Sequence, residues 1–177
     1  SLLNLLPNAR SNVAGYPFTT TIPQLGVLRM YDQDIILADI PGILEGASEG
    51  LGMGFKFLRH ISRTKGLAYL VDLSDENYLT AFDKLYAELN EYSEDLVKKP
   101  YVIIGTKIDE EGAEERFKEL EEKYRDVEVL PLSIYMDELL DPVKKAFVKL
   151  SGVLDNKKED NGGITSVVNR DAEYRDE

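Results

Sequence analysis

The chain has 177 residues, 43% hydrophobic and 31% charged, enough for one domain with a proper core. Its 33 acidic and 21 basic residues leave a net charge of -12, which argues against non-specific binding to a phosphate backbone, and no direct DNA binding is expected. There is no cysteine, hence no disulfide or thiolate chemistry, and no apolar run approaches the ~20 residues of a membrane span, so a cytoplasmic protein is expected.

Residues 1–6, SLLNLL, read as the back part of an amphipathic helix ending near Pro7 and Asn8, with neither cap nor leader before it. That abrupt start leads us to expect further residues upstream. Residues 11–24 are polar and Thr-rich and read as an extended loop. Two apolar runs, 25–31 and 34–40, are joined at Asp32-Gln33 and predict a hairpin. Five glycines between 42 and 54 predict a mobile loop, and Phe55, Leu58 and Ile61 predict the helix that follows it. Strands are predicted at 67–73, 101–105 and 127–133, and helices around 79–89, 110–125 and 139–150. Short apolar strands alternating with helices imply βαβ units and a mostly parallel sheet, to which the hairpin adds one antiparallel strand. From Asp155 the chain is polar and charged. The expected division is therefore a domain over 1–152 and an acidic linker or disordered tail over 153–177, with 164–168 a short strand if a further domain followed.

Ligands of open α/β sheets sit at the carboxyl ends of the strands. Three such ends carry polar groups here. Asp39-Ile40-Pro41-Gly42 follows one strand, Thr106-Lys107-Ile108-Asp109 the next, and Ser133-Ile134-Tyr135 the last. Each is weak alone. A strand-terminal D-x-P-G is more often a turn, Asp109 could simply cap the helix after it, and three threonines in a loop or one serine usually mean nothing. Together they suit phosphoryl transfer, which needs a Mg²⁺, its ligands and backbone donors on the γ-phosphate. Asp39 can hold the metal, and Gly42 lets a backbone N–H approach the phosphate with no Cβ in the way. A hydroxyl among Thr19, Thr20 and Thr21 can complete the metal shell only while the γ-phosphate is present, which makes that loop a switch. Asp109 can accept hydrogen bonds from guanine N1 and N2, which adenine does not offer. The Lys107 stem would lie along the base plane, and the backbone N–H after Ser133 could donate to guanine O6. These are marks of a GTP-binding domain of the Ras-like class.

The segments Ala14-Gly15-Tyr16-Pro17-Phe18-Thr19-Thr20, Asp39 through Gly54, and Phe57-Leu58-Arg59-His60-Ile61-Ser62-Arg63-Thr64 closely resemble the Obg family of bacterial GTPases, over residues 1 to about 152. The resemblance implies a Ras-like P-loop GTPase fold of the α/β class. It implies GTP and GDP as ligands with Mg²⁺, slow hydrolysis as a molecular switch, and a role in assembly of the large ribosomal subunit, in a monomer. Thr20 and Asp39 would be the metal-linked residues. Phe18, Thr19, Thr20, Asp39, Ile40, Pro41, Gly42, Thr106, Lys107, Ile108, Asp109, Ser133, Ile134 and Tyr135 would line the nucleotide. Thr106 stands where the family usually has Asn, and Ile134 where it usually has Ala. Ile43 stands where Ras-like proteins place a catalytic glutamine. An Ile cannot orient a water, so no catalytic side chain is assigned and the missing polar group must come from another element or a partner.

No G-x-x-x-x-G-K-[ST] loop occurs in the chain. Such a loop is expected just before Ser1, which would be the Mg²⁺-binding serine or its neighbour. His60, the single histidine, is read as a local packing or capping residue. The rival reading is a non-enzymatic interaction module that kept the fold and lost the nucleotide. The absent loop favours it; the retained Thr20, Asp39, Gly42 and Asp109 count against it.

Overall fold

A computed structural model describes residues 10–13, 24–30, 33–41, 64–152 and 164–169. Seven strands form one sheet. They are β1 (Arg10–Val13), β2 (Gln24–Met30), β3 (Gln33–Pro41), β4 (Thr64–Asp72), β5 (Tyr101–Thr106), β6 (Val129–Leu132) and β7 (Ile164–Asn169). The described helices are α1 (Tyr78–Tyr92), the short α2 (Glu94–Val97), α3 (Ala113–Lys123) and α4 (Leu140–Ser151), the last entered through a 3₁₀ turn at Asp137–Leu139. The strand order across the sheet is β1-β2-β3-β7-β4-β5-β6. The five strands from β3 to β6 in that order are parallel, and β2 alone runs against its neighbours. This is the mostly parallel sheet expected from the alternating pattern, with the hairpin supplying the one reversed strand.

β4 and β5 carry nearly continuous apolar runs because both faces of the sheet are covered there. Side chains alternate between the faces. Ala68 and Leu70 join Val102, Ile104, Leu132, Val143 and Phe147 on the side packed by α4. Leu67, Tyr69, Val71 and Ile103 meet Phe82, Leu85, Leu89 and Leu120 on the side packed by α1 and α3. The Tyr69 ring sits edge-on to Phe82 and Tyr101, with centroids 5.0 and 5.4 Å away.

At Gly66 the strand β4 lies directly against Leu150 of α4. A Cβ built there would stand 2.7 Å from Leu150 Cβ and 3.2 Å from the Leu150 carbonyl oxygen, so helix and strand would have to separate. Gly66→Ala is therefore expected to cost about 1–3 kcal/mol, read as a lower urea midpoint with an unchanged slope. An unchanged midpoint would show that α4 packs elsewhere.

Two segments depart from the local reading. Arg10–Val13 lies largely in the stretch read as a loop, yet it pairs with β2 from Arg10↔Val27 to Val13↔Gln24. Four residues with one β-branched side chain give almost no strand signal; the open edge of β2 supplies the backbone partners that decide it. Ile164–Asn169 falls in the stretch read as linker or tail, and it forms the middle strand of the sheet, parallel to β3 on one side and β4 on the other. No further domain is needed for it to become a strand, because β3 and β4 provide both ladders. The helices read at 1–6 and after Phe55, and the glycine-rich loop at 42–54, lie outside the described residues.

Candidate functional site

Parallel register brings five strand ends to one edge. Pro41 of β3 pairs with Asn169 of β7, Asn169 with Leu70 of β4, Asp72 of β4 with Thr106 of β5, and Thr106 with Leu132 of β6. The expected segments at 39–42, 106–109 and 133–135 thus begin on the same side of the sheet. Three strand spacings separate the ends of β3 and β5, about 14 Å, which leaves room for a nucleotide laid along the edge with its base at one end and phosphates at the other.

The end of β5 is tied to both neighbouring strands. Thr106 donates its hydroxyl to the Val71 carbonyl at 3.3 Å, and its own carbonyl accepts from Leu73 N–H at 3.1 Å. Lys107 has φ 62°, the one left-handed non-glycine residue among those described. A Cβ in that region costs of order 1–2 kcal/mol, so the turn is held by what surrounds it. Ile108 N–H donates to the Leu132 carbonyl at 3.2 Å, and Glu110 N–H to the Lys107 carbonyl at 3.0 Å, fixing the loop to β6 and closing its turn.

Asp109 is where the two loops meet. The buried Ser133 donates its hydroxyl to Asp109 Oδ1 at 2.6 Å and accepts from Tyr135 N–H at 3.1 Å. The helix-cap reading of Asp109 does not hold, because Gly112, with φ 74°, occupies the N-cap of α3 and no side chain caps that helix. The carboxylate is instead oriented from the side, with lone pairs left for a ligand. Ile134 and Tyr135 lie beside it and are 58% and 78% exposed, large apolar surfaces open to solvent at the lip of the site.

Sequence reasoning missed Asp72. Its Oδ2 accepts from Lys107 Nζ at 2.8 Å, and its Oδ1 accepts from the backbone N–H and hydroxyl of Ser74 at 2.8 and 2.6 Å. Burial pushes this carboxyl up, but the hydrogen bonds from Lys107 and Ser74 outweigh it and hold the group below the usual carboxylate range. The signal was available: Asp72 stands at a strand end, as Asp39 does.

Asp39, Ile40 and Pro41 close β3, in register with Val167, Val168 and Asn169. Phe18, Thr19, Thr20, Gly42, Ile43, His60 and Ser1 lie outside the described residues. Among the described residues no three metal-ligating side chains stand together, and no helix is long and apolar enough to cross a membrane.

Residues 1–107 match the family described as 50S ribosome-binding GTPase. The GTPase Obg of Treponema denticola is 53% identical over 159 residues, 89% of this chain, and that of Borrelia duttonii is 48% identical over 135 residues, 76% of this chain. The chain spans 42% and 41% of the length of those two relatives. Among solved structures, the G domain of the Thermotoga maritima FeoB iron transporter superposes with a TM-score of 0.57 at 22% identity, covering 84% of this chain and 88% of that one. The cytosolic domain of Legionella pneumophila FeoB gives 0.57 at 20% identity, over 84% of this chain and 62% of that one. At such identities these structures attest the fold alone. From the matched residues and the identity to Obg proteins, the chain belongs to the 50S ribosome-binding GTPase family, on its Obg branch.

Proposed function

We propose that this chain carries the guanine-recognition side and the switch segments of an Obg-type molecular switch, which binds GTP with Mg²⁺, hydrolyses it slowly to GDP and acts in the cytoplasm on assembly of the large ribosomal subunit. The observation that supports this most is the hydrogen bond from Ser133 to Asp109, set between the left-handed turn at Lys107 and the exposed loop at Ile134. A carboxylate held by a neighbouring hydroxyl meets a ligand's donors without first being ordered, and a pre-organised group binds more tightly. Guanine offers two adjacent donors, N1–H and N2–H₂, and adenine offers no such pair.

Asp39, near the carboxyl end of β3, and Thr20 are the residues that would hold Mg²⁺, and Gly42 is the backbone that would meet the γ-phosphate. Bound there, the ion would neutralise charge developing on the phosphate oxygens during attack by water. Ile43 offers no hydrogen bond to that water, which makes hydrolysis slow until a polar group arrives from elsewhere. A long-lived GTP state suits a switch that reports to a partner.

One observation favours a second reading, a non-enzymatic interaction module. In doubly wound sheets the strand at the switch point leads into the phosphate-binding glycine turn. Here the central position belongs to β7, and the residues after it are Arg170-Asp171-Ala172, with no glycine. Titration with a fluorescent GDP or GTP analogue separates the two, using this chain and the same chain extended upstream to the start of its relatives. The expected result is saturable binding in the extended chain, displaced by excess GTP but not ATP, with the GTP analogue weakened by chelating Mg²⁺. Flat titrations for both proteins would leave only the interaction module.

A further inference from the structure

We propose that Asp72 is a positioning residue for guanine-nucleotide binding, holding the Lys107 side chain across the ends of β5 and β4 so that its methylene stem forms a fixed floor for the base. The inference rests on the guanine-nucleotide reading above and extends it to a residue outside the family's sequence motifs.

Three independent features of the fold converge on this pair. The parallel register of β4 and β5 places Asp72 opposite Thr106, one residue before Lys107. The left-handed backbone at Lys107 departs from the extended path of β5, and its ammonium group reaches the end of β4 instead of following the loop toward α3. Asp72 is itself prearranged, because the backbone N–H and hydroxyl of Ser74 both bind Oδ1 and leave Oδ2 facing Lys107.

The two partners are unequally exposed. The Lys107 side chain is 54% exposed and that of Asp72 is 14%. An ion pair between two mobile surface groups contributes little, since both must be ordered to form it. Here the carboxylate is already fixed, so the ordering falls on one side chain. A free lysine has rotamer freedom that it loses when it is ordered. Pinned at its far end by Asp72, the Lys107 stem runs from the end of β5 to the carboxyl end of β4, two residues before Asp109, which would hold the base edge. A flat ring meeting Asp109 would rest on that stem. A lysine ordered before the ligand arrives costs the ligand less to bind.

A stapling role confined to the two strand ends would also explain the contact, so the test must read nucleotide binding and not stability alone. The experiment is a double-variant cycle in the upstream-extended chain used for the titration above, with Asp72→Asn, Lys107→Met and the pair combined. The dissociation rate of a fluorescent GDP analogue is measured for each. That rate is read from molecules already folded and loaded, so a partial loss of stability does not mask it. Asp72→Asn keeps its size and an acceptor for Ser74, and is expected to raise the rate on the order of ten-fold. In the Lys107→Met background the same change is expected to add less than about two-fold, because the residue it acts through is gone. An unchanged rate in Asp72→Asn, or effects that multiply in the combined variant, would overturn the proposal. If the unsubstituted protein forms no GDP complex, the guanine-nucleotide reading fails and this inference with it. If it forms the complex and Asp72→Asn releases GDP at the parent rate, this inference fails alone.

Discussion

Val167→Pro is expected to destabilise the chain by about 3 kcal/mol or more, read as a large drop in the urea midpoint or the loss of a cooperative transition. The reason lies in the position of β7. Val167 pairs with Asp39 on β3 and with Ala68 on β4, so it sits in the interior of a sheet with a ladder on each side. Proline has no N–H to give to either ladder, and interior strands exclude it. The acceptor it abandons is left without a partner, which by itself costs about 1–3 kcal/mol. Against a total stability of roughly 5–15 kcal/mol, that loss is a large share. Val167→Thr is the control. It is close in size and keeps the N–H, so it separates the backbone effect from that of the side chain. If Val167→Pro melts with the parent, residues 164–169 do not hold the sheet together and β3 must find its partner elsewhere.

The strands that proved legible carry their reason locally. In 67–73 and 101–105 nearly every residue is apolar, the mark of a strand covered on both faces, and the structure places β4 and β5 there with Leu67 through Val71 and Val102 through Ile104 buried. The polar residues that follow β5 were legible for a related reason, since the carboxyl ends of parallel strands share one edge of the sheet. β7 was not legible as part of the sheet. Ile164–Asn169 contains Thr, Ser and Asn, a poor apolar run, and it sits in a polar, charged stretch. What makes it a strand is the pair of backbone ladders on β3 and β4, contacts more than ninety residues away in sequence on the β4 side. No local pattern encodes a partner at that distance. Asp72 was hidden in another way. Its contact with Lys107 depends on the register of two strands and on one left-handed residue, and only the assembled sheet shows both. The link between Asp109 and Ser133 is similar. Both residues were expected at the base, but their mutual hydrogen bond belongs to the β5–β6 pairing that brings Thr106 beside Leu132.

Asp109→Asn is expected to weaken guanine-nucleotide binding by at least about a hundred-fold and to raise affinity for xanthine nucleotides, with the fold intact. The carboxylate offers acceptors only, and both its expected partners on guanine are donors. An amide of the same shape keeps one acceptor and presents N–H₂ in place of the other, so one hydrogen bond becomes a clash of two donors. Hydrogen bonds to charged groups contribute about 1.5–3 kcal/mol each, and a donor left facing a donor adds its own desolvation cost. Xanthine carries a carbonyl at C2 where guanine carries the amino group, and the Asn amide can donate to it. The structure supplies the condition that makes this exchange clean. Asp109 is exposed and caps no helix, and its described side-chain partner is the Ser133 hydroxyl, which can donate equally to an amide oxygen. Stability is therefore expected to change by less than about 1 kcal/mol, while specificity changes sharply. Competition of GDP and XDP for a fluorescent analogue on the upstream-extended chain measures both affinities. Unchanged GDP binding in the variant would remove Asp109 from the base site and, with it, the functional meaning of its contact with Ser133. Equal losses for GDP and XDP would make Asp109 a residue that shapes the loop, with base recognition passing to the backbone around Ile134.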